Sequence, residues 1–259
     1  MKKQQLLEYL QPLLIQNKSF SIEDAANILP IKKQNISAEL TKLYRANIIV
    51  KMKRGVYLPV QNRFLGSTEI VADPIKYISS FFPNSYIGGW SACSHHHLTE
   101  QIFNDTCLFV PAPVSSHSRN IYEHKFVIFT SYSKEEWGLE VFWHDQDKLQ
   151  IADIHRSIID IFMKPAAGGG ILHSIQCFKE YVHHYGDTSQ LISYLKHVHN
   201  RSIYKRLGYV AEQILGIDHP ITLYCRANIS KGYIKIDPGM ECTNLVTKWN
   251  LFICKGLAI

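Results

Sequence analysis

The chain has 259 residues, of which 46% are hydrophobic and 19% are charged, a globular composition that excludes a disordered or low-complexity protein. Charged and polar residues interrupt the apolar run near the N-terminus, which excludes a signal peptide or membrane span there and predicts a cytoplasmic protein. Residues 1–63 carry 11 Lys or Arg against four acids, whereas the rest of the chain is nearly neutral. Such a basic segment attracts a phosphate backbone, although composition alone leaves RNA and membrane surfaces open.

Three helices are predicted in the first 46 residues. Leucines at helical spacing indicate a helix over 3–15, and Ser21 followed by two acids is typical of the cap of a short second helix that ends before Pro30. A third helix over 32–46 has one apolar face. Its first turn and outer face carry donors and amides able to reach base edges and phosphates, as a recognition helix needs: Lys32, Lys33, Gln34, Asn35, Ser37, Thr41, Lys42 and Arg45.

A β-hairpin is predicted directly after the third helix. Two apolar strands over 48–52 and 56–60 flank a tight turn whose Gly55 allows positive φ. Lys51, Lys53 and Arg54 place cations where the tip of a wing contacts DNA. The order of helices and hairpin therefore predicts a winged helix-turn-helix domain over residues 1–63 that binds double-stranded DNA, although winged helices also serve as protein-interaction modules.

Residues 64–259 are predicted to form a larger, mixed α+β domain after a polar linker at 61–67. A helix is expected over 74–83, then a strand and glycine turn leading into a helix over 85–92. Further strands are expected at 106–110, 125–130 and 139–144, and helices at 153–163, 171–185, 189–198 and 203–215. We expect tail strands at 221–226, 232–236 and 249–254 to rejoin the earlier sheet.

The six cysteines of the chain form no C-x-x-C pair, so they are expected to be reduced, buried residues.

Several short motifs follow one another along nearly the whole chain: RGVY at 54–57, YIGGWSA at 86–92, LTEQ at 98–101, RSIID at 156–160, GGG at 168–170, KRLGY at 205–209, IKIDP at 234–238 and KWNL at 248–251. In this order they resemble the AbiEi family of antitoxins and transcriptional regulators from bacterial abortive-infection, or type IV toxin–antitoxin, systems. The family usually has proline where this chain has His155, and threonine where it has Ser157.

The resemblance implies a repressor of its own operon that binds an operator, expected to hold inverted repeats, through the winged helix. It also implies an antitoxin whose C-terminal domain counters a nucleotidyltransferase-like toxin without necessarily binding it. No catalytic residue, cofactor, metal or membrane partner is expected. An effector-sensing regulator with a ligand-binding C-terminal domain remains the alternative.

Three further clusters contain residue types that occur in metal, phosphate or catalytic sites. Residues 95–97 are three adjacent histidines, but successive helix residues point in different directions, and the glycines at 168–170 lack the lysine of a P-loop, so neither predicts a site. Glu140, Asp145 and Asp147 resemble a Mg²⁺ nuclease site only weakly, and they form the enzymatic alternative. A surface ion pair is expected between Arg156 and Asp160. The candidate C-terminal functional surface consists of Trp90, Arg156, Arg206 and Tyr209.

Overall fold

A computed structural model of the protein describes residues 1–16, 19–60, 74–113, 116–121, 124–132, 137–144, 147–185, 188–257 and 259. Their contacts divide the chain into two compact units, one of Met1–Tyr77 with Ile121–Glu123 and one of Ile78–Asn120 with His124–Ile259. The expected linker at 61–67, with the boundary between 63 and 64, lies outside the described residues. Within the described ranges, no helix is long and apolar enough to cross a membrane.

The first unit has the winged-helix order of elements. These are α1 (Lys3–Ile15), β1 (Phe20–Ser21), α2 (Ile22–Ile28), α3 (Lys33–Arg45), β2 (Ile49–Lys53) and β3 (Val56–Pro59). The strands form an antiparallel sheet in the order β1-β3-β2, with β2 and β3 as a wing-like hairpin. The three helices and the hairpin confirm the prediction. Strand β1 was not predicted, because two residues are too few to show an alternating pattern.

Local chemistry explains how the helices of the first unit start and pack. Ser21 forms a capping box at the start of α2: its hydroxyl accepts from the Asp24 N–H at 3.1 Å, and the Asp24 carboxylate accepts from the Ser21 N–H at 2.7 Å. The core takes one face of α1 and one face of α3, with Leu6, Leu10 and Leu40 fully buried. Each such side chain contributes about 1.5–3 kcal/mol on burial, so α3 is held with its polar face outward.

A six-stranded mixed sheet forms part of the second unit. Its elements follow a short 3₁₀ turn and are α4 (Ile78–Phe81), β4 (Tyr86–Ile87), α5 (Gly89–His95), β5 (Thr106–Val110), β6 (Ser118–Ile121), β7 (His124–Thr130), β8 (Leu139–His144) and β9 (Asp147–Ala152). The strand order is β6-β7-β5-β4-β9-β8. Strands β5 and β7 are parallel, as are β4 and β9, while β4 with β5 and β8 with β9 are antiparallel. The sequence predicted β5 and β8 at their observed bounds but missed β6 and β9.

In the described part of the chain, five α-helices follow the sheet: α6 (Ile154–Met163), α7 (Ile171–His184), α8 (Thr188–Leu195), α9 (Ser202–Leu215) and α10 (Pro220–Asn228). Helix α6 is central, because it packs against α5, α7, α8 and α9 and every residue from Arg156 to Met163 is buried. Helix α9 has Gly208 where a Cβ would collide with the ring of Trp249, so this glycine permits the close approach of the two elements. The interior of the second unit is therefore mainly helical.

The C-terminal segment differs from the prediction in four respects, the first of which is a strand at Cys242–Val246 that was not predicted. Residues 221–226 belong to helix α10 rather than to a strand, because His219 caps the helix and Pro220 occupies its first turn. Strands β10 (Ile234–Lys235), β11 (Cys242–Val246) and β12 (Leu251–Cys254) do not rejoin the earlier sheet but pair with one another in the order β10-β12-β11. Cys242 and Cys254 lie opposite each other in this sheet and form a disulfide, whereas the other four cysteines are free and buried. The mixed α+β fold class is confirmed.

Candidate functional site

Helix α3 presents its predicted recognition residues to solvent. Ile36, Leu40 and Leu43 fix one side of the helix in the core, and the opposite side is polar. Thr41 is partly exposed, and its hydroxyl donates to the Ser37 carbonyl at 2.7 Å. The other predicted contacts from this helix are all exposed: Lys32, Lys33, Gln34, Asn35, Ser37, Lys42 and Arg45. An α-helix of this kind fits the major groove of B-form DNA, where long donors and amides reach base edges.

The wing adds a second set of cations to the first unit. Lys51 on β2 and Arg54 in the turn are exposed, whereas the side chain of Lys53 lies outside the described part of the chain. Gly55 has φ +76, as the tight turn requires. The register between β2 and β3 shifts between Lys51 and Lys53, so the hairpin is irregular next to its tip.

Acidic side chains neutralise only part of this positive charge. Glu23 pairs with Lys33 at 2.9 Å, and Glu39 pairs with Lys42 at 2.7 Å. The hydrogen bond from Lys42 lowers the pKa of Glu39, which keeps that carboxylate ionised. Among the described residues, the cations that make no ion pair include three from this set: Lys32, Arg45 and Arg54. These three are the side chains best able to exchange counterions for DNA phosphates.

The four residues of the expected C-terminal surface are buried, each at most 9% exposed. The Trp90 indole donates to the Asp105 carbonyl at 3.0 Å, and its ring stacks on Phe103. Arg206 donates to main-chain carbonyls, including that of Ile236 at 2.9 Å. Buried cations are held in this way because an unpaired charge in the interior is costly. The four residues therefore form no exposed surface, although Arg156 lines a cavity.

Arg156 and Asp160 form a buried cluster with aromatic side chains. The Arg156 guanidinium lies 4.4 Å from the ring centre of Tyr86 and 4.5 Å from that of Trp137, whose carbonyl accepts a hydrogen bond from it. The fully buried Asp160 carboxylate accepts from the hydroxyls of Tyr132 at 2.8 Å and Tyr86 at 3.2 Å. Burial raises the pKa of Asp160 to about 6. The predicted surface pair is thus an interior one, with 4.0 Å between its nearest atoms.

Two thiols and a histidine lie together beside this region. The Cys177 sulfur is 3.7 Å from Nε2 of His173, whose ring also contacts the Thr99 hydroxyl and the Gly168 carbonyl. A hydrogen bond with Cys93, and then the bond with His173, lowers the pKa of Cys177. Both sulfurs belong to residues that are 0% exposed, so this thiol has no access to a substrate.

The histidines at 95–97 and the described acidic residues of the enzymatic alternative belong to the second unit. His96 Nε2 lies 2.8 Å from the Ala152 carbonyl, and His95 packs edge-on against Phe142. Of the three acidic residues that resemble a Mg²⁺ nuclease site, Glu140 lies on β8 and Asp147 on β9, while Asp145 lies outside the described residues. Within the described ranges, no three His, Cys, Asp or Glu side chains are grouped so that they could hold a metal ion.

Comparison with known proteins supports the fold. No protein-family model matches the sequence, and no curated protein shows significant similarity to it. Among solved structures, the chain is similar to the Rv2827c protein of Mycobacterium tuberculosis, with a TM-score of 0.54 and 11% sequence identity. The match covers 96% of this chain and 91% of that one. At this identity the similarity concerns the fold, which extends over both compact units.

Proposed function

We propose that this protein is a DNA-binding transcriptional repressor that acts on its own operator through the first unit. The observation that carries the proposal is the polar face of α3 with its N-cap residue Lys32, next in sequence to a hairpin that exposes Arg54. Lys32 and Arg45 are exposed there and make no ion pair with any residue that the structure describes. Unpaired, exposed cations of this kind replace condensed counterions along the DNA backbone, while Gln34 and Asn35 provide amides for base edges.

The test is a mobility-shift titration of the full chain on the DNA upstream of its own gene, repeated over a range of salt concentrations. The triple variant Lys32→Ala/Arg45→Ala/Arg54→Ala should bind at least about tenfold more weakly, because each phosphate contact contributes separately. The slope of log affinity against log salt should become shallower by about 3, one unit for each lost contact.

A matched triple variant removes the same number of charges from the second unit. Lys179, Lys196 and Lys231 are exposed there, and replacing all three with alanine should leave both the affinity and the salt slope close to those of the wild type. Equal losses in the two triple variants would mean that only net charge matters, and the assigned surface would then be wrong.

We further propose that the protein is the antitoxin of a type IV toxin–antitoxin system, that it is not an enzyme, and that it works in the cytoplasm. The ordered motifs of the AbiEi resemblance support this role, and seven of the eight lie entirely in the second unit and outside the DNA-binding surface. The full chain, expressed with a nucleotidyltransferase-like toxin encoded beside its gene, should restore growth. Continued growth arrest while the protein accumulates would contradict the antitoxin role.

The two roles can be separated with the same DNA-binding variant. If Lys32→Ala/Arg45→Ala/Arg54→Ala is produced from an unrelated promoter, it should lose repression of a reporter but still relieve growth arrest. Loss of both activities in a folded variant would mean that toxin antagonism also needs the first unit.

A further inference from the structure

The second unit contains a cavity of about 580 Å³ beside the Arg156 cluster. This volume lies within the range of about 300–1,000 Å³ that is usual for small-molecule sites. One part of its wall is apolar and includes Phe82, Phe109 and Leu149. Another part is polar and includes Ser85 and Arg156.

Two buried polar atoms on residues of this wall have no hydrogen-bond partner among the described residues. They are Nε of Arg156 and the hydroxyl oxygen of Ser85. The nearest carboxylate oxygen to this Nε belongs to Asp160 and lies 4.0 Å away, which is beyond hydrogen-bond distance. A buried group left without a partner costs about 1–3 kcal/mol, so both atoms indicate a missing acceptor.

The charge of the wall specifies the acceptor. Lys148 is exposed on β9 and Arg156 is 1% exposed on α6, and both line the cavity. No Asp or Glu is among the described residues that line it. Cations without a lining carboxylate favour an anion, while the apolar wall favours a hydrophobic body attached to that anion.

We propose that this cavity binds a small organic anion, in which an apolar body carries one carboxylate or phosphate group. The anionic group accepts hydrogen bonds from Arg156 and Ser85 and pairs with Lys148, while the apolar body packs against Phe82, Phe109 and Leu149. Such a site gives the second unit the ligand-binding property of an effector-sensing regulator. It does not depend on DNA binding.

The test titrates the full chain with four probes in calorimetry: phenyl phosphate, phenylacetate, benzyl alcohol and inorganic phosphate. At least one of the first two should bind at least tenfold more tightly than benzyl alcohol and inorganic phosphate, which each offer only one half of the required chemistry. The comparison of phenyl phosphate with phenylacetate decides between the two anionic groups. If neither binds more tightly than benzyl alcohol, the proposal is overturned.

Two conservative variants localise the binding. Ser85→Ala removes a hydroxyl that has no partner in the described part of the chain, and Lys148→Ala removes an exposed amine, so neither should disturb folding. Each should weaken binding about fivefold, the equivalent of one hydrogen bond. Lys196→Ala, which removes an exposed lysine that does not line the cavity, should bind as the wild type does. Wild-type affinity in both cavity variants would place the anion elsewhere and refute the assigned site. Because no DNA is present, the result is independent of the repressor function.

Discussion

The two compact units use basic side chains in opposite ways. In the first unit, Lys32 and Arg54 are exposed and make no ion pair among the described residues. In the second unit, Lys205 is 1% exposed and donates to the Gly232 carbonyl at 2.7 Å, and Arg206 is 6% exposed and bonds to carbonyls from two segments. The difference shows that cations available to a polyanion and cations that hold main-chain segments together share a residue type but not an environment.

The same contrast applies to the helices that carry these side chains. Helix α3 is amphipathic and covers the core with one face, which leaves its other face for a partner. Helix α6 is buried from Arg156 to Met163, so its polar residues must find partners inside the protein. A substitution of an exposed basic residue of α3 should therefore change DNA affinity, whereas a substitution of a buried basic residue of the second unit should change stability.

The largest effect is expected for Arg206→Met, which tests the structural role of buried cations. The variant leaves the carbonyls of Ile236 and Met163 without their donor, and we expect the free energy of unfolding to fall by about 3 kcal/mol. All four tryptophans belong to the second unit, so denaturant unfolding followed by tryptophan fluorescence reports on this unit.

Arg201→Met provides the control for this experiment. Arg201 is exposed at the start of α9, and its loss should change the free energy of unfolding by no more than about 0.5 kcal/mol. Equal destabilisation by the two substitutions would remove the proposed distinction between buried and exposed cations in this unit.

The second prediction concerns the pH dependence of stability that the Arg156 cluster creates. Burial raises the pKa of Asp160 to about 6 from an ordinary 3.8, so the folded protein binds this proton more tightly than the unfolded chain does. The contribution to stability is therefore present below pH 4 and is lost as the pH rises from about 4 to 6. Asp160→Asn keeps the shape of the side chain and removes its titration. Between pH 4 and 7 the free energy of unfolding should therefore fall by about 2 kcal/mol less in this variant than in the wild type.

Unfolding curves at several pH values check this sign, again by tryptophan fluorescence. Asp218→Asn, which removes an exposed carboxylate, should keep the wild-type pH dependence. A pH dependence that is the same in Asp160→Asn and the wild type would show that Asp160 does not titrate differently in the folded state.

Much of the fold could be predicted because its elements have strong local signals. The Ser21 capping box, the Gly55 turn and the leucine spacing of α1 depend on residues close in sequence. The errors occur where tertiary pairing decides. A two-residue strand such as β1 exists only through its partner β3, and the apolar segment at 221–226 is compatible with either helix or strand until Pro220 is recognised as a first-turn residue.

The two candidate sites, the DNA-binding surface and the cavity, also differ in how far local sequence signals predict them. Exposure of the α3 cations follows from helical periodicity, so the DNA-binding surface could be proposed from sequence. The cavity could not, because Ser85, Lys148 and Arg156 come from separate segments that only the folded sheet and α6 bring together. The pattern of α6 did not indicate this position either, because Arg156, Ser157 and Asp160 share one side of an amphipathic helix, and such a side is ordinarily exposed.

The smallest effect is expected for Glu23→Gln, which sharpens the description of the first unit and rests on its proposed DNA binding. Glu23 pairs with Lys33 at 2.9 Å, and their side chains are 75% and 67% exposed. Such a surface pair adds little stability, but it occupies a lysine at the start of the predicted recognition helix. The variant should bind operator DNA about two- to threefold more tightly at low salt, and the gain should disappear at high salt because the released charge is screened. Glu8→Gln removes another exposed acid, from α1, without freeing a lysine of α3, so a mobility-shift titration should show a smaller gain for it. If the two variants gain equally, the pairing of Lys33 does not limit its contact with DNA.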